Sequence, residues 1–203
     1  MSWESDRILV DAELVSGEQK KISYMFHKPK GVICTSSDPQ GRRTAVDLIG
    51  PVRERIFCVG RLDIDTTGAI ILTNDSELAN RLTHPKYELQ KKYLVRLKGK
   101  IESETIEKLK KGIWLSDGKA VLTGVRMLKS GHDESLLEIT IQKSLNRQID
   151  RMFAKVGYKV KSIARTHIGR IDAGSLKPGQ SRRLSKPEVA YLMKATEIQS
   201  LPK

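Results

Sequence analysis

Between Arg55 and Asp75 the chain reads RIFCVGRLDIDTTGAIILTND. Two short apolar runs, RIFCVG (Arg55–Gly60) and AIILT (Ala69–Thr73), have the length and apolar density of buried strands. Between them lies RLDIDTTG (Arg61–Gly68), a polar insert carrying Arg61, Asp63, Asp65, Thr66 and Thr67. An insert anchored at both ends by buried strands holds its side chains rigidly. A carboxylate fixed in this way serves as a nucleophile or general base. On spacing alone the commoner role is the acceptor of an Asx-turn that caps backbone amides. Spacing alone leaves these readings open.

Working outward, ISYMFH (Ile22–His27) and GVICT (Gly31–Thr35) read as strands about the turn KPKG, punctuated by Pro29 and Gly31. SSDPQGRR (Ser36–Arg43) is a polar loop. TAVDLIG (Thr44–Gly50) predicts a short helix closed by Gly50. Downstream, SELANRLTHP predicts a helix with Leu78 and Leu82 on one face, Ser76 as cap and Pro85 as stop. LQKKYLVRLKG (Leu89–Gly99), SLLEITIQ (Ser135–Gln142) and VKSIARTHIG (Val160–Gly169) read as strands. SETIEKLKKG (Ser103–Gly112) and KPEVAYLMKA (Lys186–Ala195) read as helices. NRQIDRMFAKVG (Asn146–Gly157) carries the clearest helical pattern, with Asn146 as N-cap and Gly157 just past the end. Its Ile149, Met152, Phe153 and Val156 share a face. Strands dominate, helices are short, and no regular βαβ repeat appears. The expected class is α+β, with a mixed, largely antiparallel sheet and short flanking helices.

The 203 residues allow one sizeable domain or two small ones. Apolar residues make up 38% and charged residues 30%, which supports a packed core and argues against disorder throughout. The 37 Lys and Arg outweigh 24 Asp and Glu, for a net charge of +13, which points to a polyanion. Nucleic acid is the first candidate, an anionic membrane surface the second, and evenly solvated lysines the bland alternative. Clustering favours a phosphate-tracking surface. Between Lys143 and Lys186 stand 12 basic residues, opposed only by Asp150 and Asp172. No stretch is long and apolar enough to span a bilayer, and the first residues lack a secretory signal. Cys34 and Cys58 sit in apolar runs and read as reduced core residues. The four histidines lack metal-ligand spacing, so no metal is expected.

GRLDIDTTG resembles the GRLDxxTxG motif of pseudouridine synthases, specifically the family acting on small- and large-subunit ribosomal RNA. The likeness runs from about Phe26 to Leu184. HKPKGVICTSSDPQGRRTAVDL (His27–Leu48), LTND (Leu72–Asp75), ELANRLTHPKYELQKKYLV (Glu77–Val95), NRQIDRMF (Asn146–Phe153) and LKPGQSRRL (Leu176–Leu184) follow the family's pattern in order. The resemblance implies that residues 23–203 form a pseudouridine synthase catalytic domain and residues 1–22 an N-terminal connector strand. It implies a reaction in which uracil leaves ribose at N1, turns over and rejoins through C5, with neither cofactor nor metal. Asp63 matches the catalytic aspartate, attacking ribose C1′ or base C6. Tyr93 matches the active-site tyrosine, which packs on the base and takes part in proton transfer. The base must leave its stack to be reached, and Arg61 is placed to hold a phosphate or fill the vacated space. Lys28, Lys30, Arg42, Arg43, Arg147 and Arg151 are the expected phosphate contacts, and Gln148 and Arg165 complete the expected RNA-binding set. The implied partner is ribosomal RNA, met by a cytoplasmic monomer that needs no membrane.

Two features depart from the family pattern. The position two after Gln148, usually Arg or Lys paired with the catalytic aspartate, is Asp150, and the Gly-basic pair before Asn146 is replaced by Ser144 and Leu145. A second carboxylate there disfavours ionisation where a guanidinium favours it. Asp63 is then left to pair with Arg165 or Arg147, or the site is weakened, which leaves an RNA-binding relative without turnover as the alternative. The second departure is extent. The family's small N-terminal RNA-binding domain is not seen ahead of DRILVDAELV (Asp6–Val15), which looks like its connector.

Overall fold

The computed structural model describes residues 9–10, 13–14, 20–87, 89–143 and 145–197. Of the expected connector strand Asp6–Val15, β1 (Leu9–Val10) pairs antiparallel with β2 (Glu13–Leu14), and the rest lies outside the described residues. The main sheet is built from β3 (Ser23–Lys28), β4 (Phe57–Val59), β5 (Thr67–Thr73), β6 (Lys91–Lys98), β9 (Gly124–Ser130), β10 (Glu134–Ile141), β11 (Val160–Ile168), β12 (Ile171–Asp172) and β13 (Ser181–Arg183). A small hairpin, β7 (Ile113–Leu115) and β8 (Gly118–Ala120), lies apart from it. The helices are α1 (Ser76–Thr83), α2 (Ser103–Lys111), α3 (Gln148–Lys155) and α4 (Lys186–Ala195).

Strands run in the order β13-β3-β5-β11-β6-β10-β9, with β4 on β5 and β12 on β11. Among the described strands only β5 and β11 pair in parallel, through Thr67–Ala164 and Gly68–Arg165. The sheet is therefore mixed and largely antiparallel, as expected. Its pattern of side chains explains the layers. In β5, Ile70 and Leu72 enter one apolar cluster with Phe153, while Ala69 and Ile71 enter a second with Leu78 and Leu192. A central strand covered on both faces needs an unbroken apolar run, which is what AIIL supplies. β10 instead alternates, with Leu137, Ile139 and Ile141 buried and the residues between them partly solvated. Each fully buried Ile or Leu contributes about 1.5–3 kcal/mol.

Three local expectations are corrected. GVICT is not a strand; Ile33 makes only one bridge, to Thr44. Gly31 turns with φ +81°, and the carbonyl of Val32 accepts the Lys28 ammonium instead of a ladder N–H. TAVDLIG forms turns, because Thr44 and Asp47 close on each other through reciprocal amide bonds of 2.9 and 3.2 Å. That exchange satisfies one turn, and no helix follows. α1 is capped by Asp75, whose Oδ1 accepts from the Glu77 and Leu78 amides; Ser76 is its first residue. No helix among the described residues is long and apolar enough to cross a membrane.

Candidate active site

Three strand ends and one helix start converge on the first apolar cluster's open side. β4 and β5 hold the loop between them, and the Thr66 amide donates to the Asp63 carbonyl at 3.0 Å. The Leu62 amide donates to Cys34 Sγ at 3.4 Å, which fixes the residue beside Asp63. Both cysteines are free, half-buried and packed against the first cluster. Gly68 closes the loop at φ +103°; a Cβ there would lie 2.1 Å from the Arg165 carbonyl oxygen. Only glycine admits that approach. Register then sets Arg165 of β11 beside both Gly68 and Tyr93 of β6.

The result is a cleft of about 440 Å³ lined by Arg61, Asp63, Thr66, Tyr93, Asp150 and Arg165, among others. It continues into an adjoining hollow of about 480 Å³, and Asp63, Thr66, Arg147 and Asp150 border both. Asp63 is exposed and Tyr93 is buried at the cleft wall. An exposed carboxylate and a buried phenol in one cleft can act as an attacking oxygen and a proton-handling partner.

The cations fall into distinct groups. Arg165 is 5% exposed; its Nε donates to the Ala69 carbonyl at 2.6 Å, and one terminal nitrogen, Nη2, is buried without a partner. A buried guanidinium with an unmet donor in a cleft is a ready anion site. Arg61 is exposed at the rim. Lys30 is exposed and only loosely paired, 3.5 Å from Asp65. Arg43 is exposed too, and lines neither hollow. Arg42 is held bidentately by Asp38, and Arg151 by Asp117 and the Asn146 carbonyl. Both guanidinium groups are therefore already engaged away from the cleft.

Two expected RNA contacts have their polar groups engaged inside the protein. Lys28 is fully buried, with its ammonium bonded to the carbonyls of Pro29, Val32 and Ile64 at 3.1, 2.6 and 3.3 Å. No phosphate reaches it; it fastens the loop beneath Asp63 from the inside. Burial pulls its pKa down, opposed by Cys34, Asp63, Asp65 and Cys58 nearby. Gln148 is also buried, accepting from the Leu145 amide at 3.0 Å and donating to Met152 Sδ. Of the Ser144–Leu145 departure, Ser144 lies outside the described residues and Leu145 packs on the core.

The start of α3 also differs from expectation. Asn146 is not its cap. The cap is Arg147 at φ +44°, the only non-glycine residue with positive φ among the described residues, and no side chain caps the helix. A left-handed arginine costs about 1–2 kcal/mol, and such strain gathers at functional sites. Its turn brings Arg147 Nε within 3.8 Å of Asp150. Burial raises the Asp150 pKa, Arg147 opposes the rise, and the charges of Asp63 and Asp65 add to it. Asp150 thus feels both carboxylates of the loop.

Residues 23–155 match the model of the RNA pseudouridylate synthase family. This chain belongs to that family. It is 39% identical over 201 residues to an uncharacterized RNA pseudouridine synthase of Aquifex aeolicus, covering 98% of this chain and 80% of that protein. It is 36% identical over 190 residues to ribosomal large subunit pseudouridine synthase B of Bacillus subtilis, covering 93% and 78%. A crystal structure of a pseudouridylate synthase superposes with a TM-score of 0.76 at 31% identity, covering 95% of this chain and 82% of that one. The synthase fold is therefore shared along nearly the whole chain. Among the described residues, no group of three or more His, Cys, Asp or Glu side chains is placed to hold a metal ion.

Proposed function

We propose that this synthase isomerises a uridine of ribosomal RNA to pseudouridine, with Asp63 as the attacking carboxylate. The observation that carries the reading is the meeting of Asp63, Tyr93 and Arg165 in one cleft of a synthase-family chain. The relatives named for the large ribosomal subunit support ribosomal RNA as the substrate. The reaction breaks the N1–C1′ bond, turns the uracil and forms C5–C1′. The C5 proton is lost and N1 gains one, so the product is an isomer and no redox partner is consumed. Tyr93, at the wall, packs against the turned base and stands in the path of the C5 proton. Arg61, exposed at the rim, holds a flanking phosphate or the space left by the flipped base. The protein works without a cofactor, as a cytoplasmic monomer.

Asp150 favours one rival reading, an RNA-binding relative without turnover, because it replaces the usual cation. Against it stand Arg147 beside Asp150 and the buried Arg165 guanidinium in the same cleft. Incubating the protein with unmodified ribosomal RNA and mapping pseudouridine decides between them. Wild-type protein is expected to give product at a defined uridine, and Asp63→Asn none. Product from Asp63→Asn would remove Asp63 from the chemistry; binding without product by the wild type would establish the rival.

A further inference from the structure

We propose that Trp114 is a stacking platform for an unpaired nucleobase of the bound RNA, with Lys111, Lys119 and Lys155 holding the phosphates beside it. The proposal rests on the reading above and adds a contact outside the cleft.

IWLSDGKA (Ile113–Ala120) folds as the β7–β8 hairpin, turned at Ser116–Asp117. Strand alternation sends Ile113 and Leu115 toward the core and Trp114 outward. Trp114 is 67% exposed, against 41% for the next large apolar side chains, Ile64 and Leu128. No phenylalanine or tyrosine among the described residues is exposed. An indole is usually well covered, so a lone, outward tryptophan marks a surface that meets something.

The hairpin is braced. Lys155 at the end of α3 donates to the Trp114 carbonyl at 2.6 Å, and Arg151 of α3 holds Asp117 and donates to Ser116 Oγ at 3.2 Å. Behind it, Gly112 turns at φ +95° so close that a Cβ would meet Lys119 Cε at 2.7 Å. A ring on a fixed backbone is ordered before binding, so little entropy is lost when a partner stacks on it.

Charge selects the partner. Lys119 is the cross-strand neighbour of Trp114, Lys111 ends α2 just before the hairpin, and Lys155 ends α3; all three are exposed. The one carboxylate of the turn, Asp117, is engaged by Arg151. Protein interfaces are depleted in lysine and would gain nothing from this rim. Single-stranded nucleic acid needs both halves, an aromatic face for the base and cations for the backbone. Position agrees. α3 begins at the cleft, which Gln148 and Asp150 line, and ends beside Trp114. Its eight residues span about 12 Å. A strand leaving the cleft along α3 meets the indole within a short stretch.

The test is equilibrium binding of a single-stranded ribosomal RNA oligonucleotide containing the target uridine. Trp114→Ala is expected to raise Kd about fivefold to a hundredfold, the range for one lost base stack. Trp114→Phe is expected to keep most of the affinity, and both variants to melt as the wild type does. In a Trp3→Phe background the remaining indole fluorescence is expected to be quenched by the RNA. Equal affinity of wild type and Trp114→Ala overturns the platform and turns the hairpin toward a protein partner. A Trp114→Phe loss as deep as that of Trp114→Ala overturns stacking as the cause. Wild-type protein that binds no RNA overturns the parent reading as well, and is told apart because no variant then differs from it.

Discussion

Asp150 occupies the position where the family pattern sets a cation, and Arg147 and Arg165 line the same cleft. Arg147 lies within 3.8 Å of it and offsets part of its charge. Arg165 contributes a buried positive charge to the same cleft, held by Ala69 and with one donor unmet. A charge-assisted hydrogen bond is worth about 1.5–3 kcal/mol, or roughly tenfold to a hundredfold in rate. Arg165→Gln is therefore expected to slow single-turnover conversion by that factor. Asp150→Arg is expected to stay within about threefold of wild type, since it supplies a charge the cleft already has. The sign with pH follows from the raised Asp150 pKa. Acidification protonates Asp150 and removes its negative charge from the cleft, so any gain from Asp150→Arg that comes from that charge is expected to grow from acidic to neutral pH. A large gain there, with Arg165→Gln unchanged, would make repulsion the governing effect. At this scale the motifs around Asp63 and Tyr93 pointed to one site, and both residues line the same cleft. The sequence was not legible for Lys28. A lysine reads as surface charge until three carbonyls are seen to fold around it.

The elements that build the cleft are tied at one backbone contact. Gly68 is the second residue of β5, and its φ of +103° and the 2.1 Å clearance to the Arg165 carbonyl leave no place for a side chain. The only parallel pairing of the main sheet passes through this residue. Gly68→Ala is expected to cost upwards of about 3 kcal/mol, combining a forbidden φ with a backbone clash. Urea melts would measure it; a loss under about 1 kcal/mol would show that β11 shifts freely, and that Arg165 is not held by this contact. The glycine that closes the GRLDxxTxG motif thus has a reason in packing. Long apolar or alternating runs announced β5, β6, β10 and β11, because burial on one or two faces leaves its period in the sequence. GVICT carried the same apolar density, but its groups are drawn to Lys28 and Leu62, a tertiary demand that periodicity does not record. The β7–β8 hairpin went unread for the opposite reason. Each of its strands is three residues long, too short for a pattern, although Asp117-Gly118 is a turn signal. With the hairpin, Trp114 went unread too.

For the whole molecule, the net charge of +13 predicts RNA affinity that falls with salt, but not every cation contributes to the slope. Ion pairing inside the protein decides which do. Arg42 and Arg151 already neutralise Asp38 and Asp117, so they bring no free charge to a phosphate. Arg43 and Arg61 are exposed and make no ion pair among the described residues. Lys30 is loosely paired with an equally exposed Asp65, an interaction worth at most about 1 kcal/mol. Each phosphate contact to single-stranded RNA contributes about 0.7 to the slope of log K against log salt. Arg61→Ala, and Arg43→Ala if the RNA crosses that loop, are each expected to flatten the slope by about 0.7. Arg42→Ala and Arg151→Ala are expected to leave it unchanged, although all four lower the net charge equally. Binding isotherms at several salt concentrations separate the two groups. Equal flattening by Arg42→Ala and Arg61→Ala would mean that the Asp38 pair opens on binding, and that net charge rather than its placement governs the encounter with RNA.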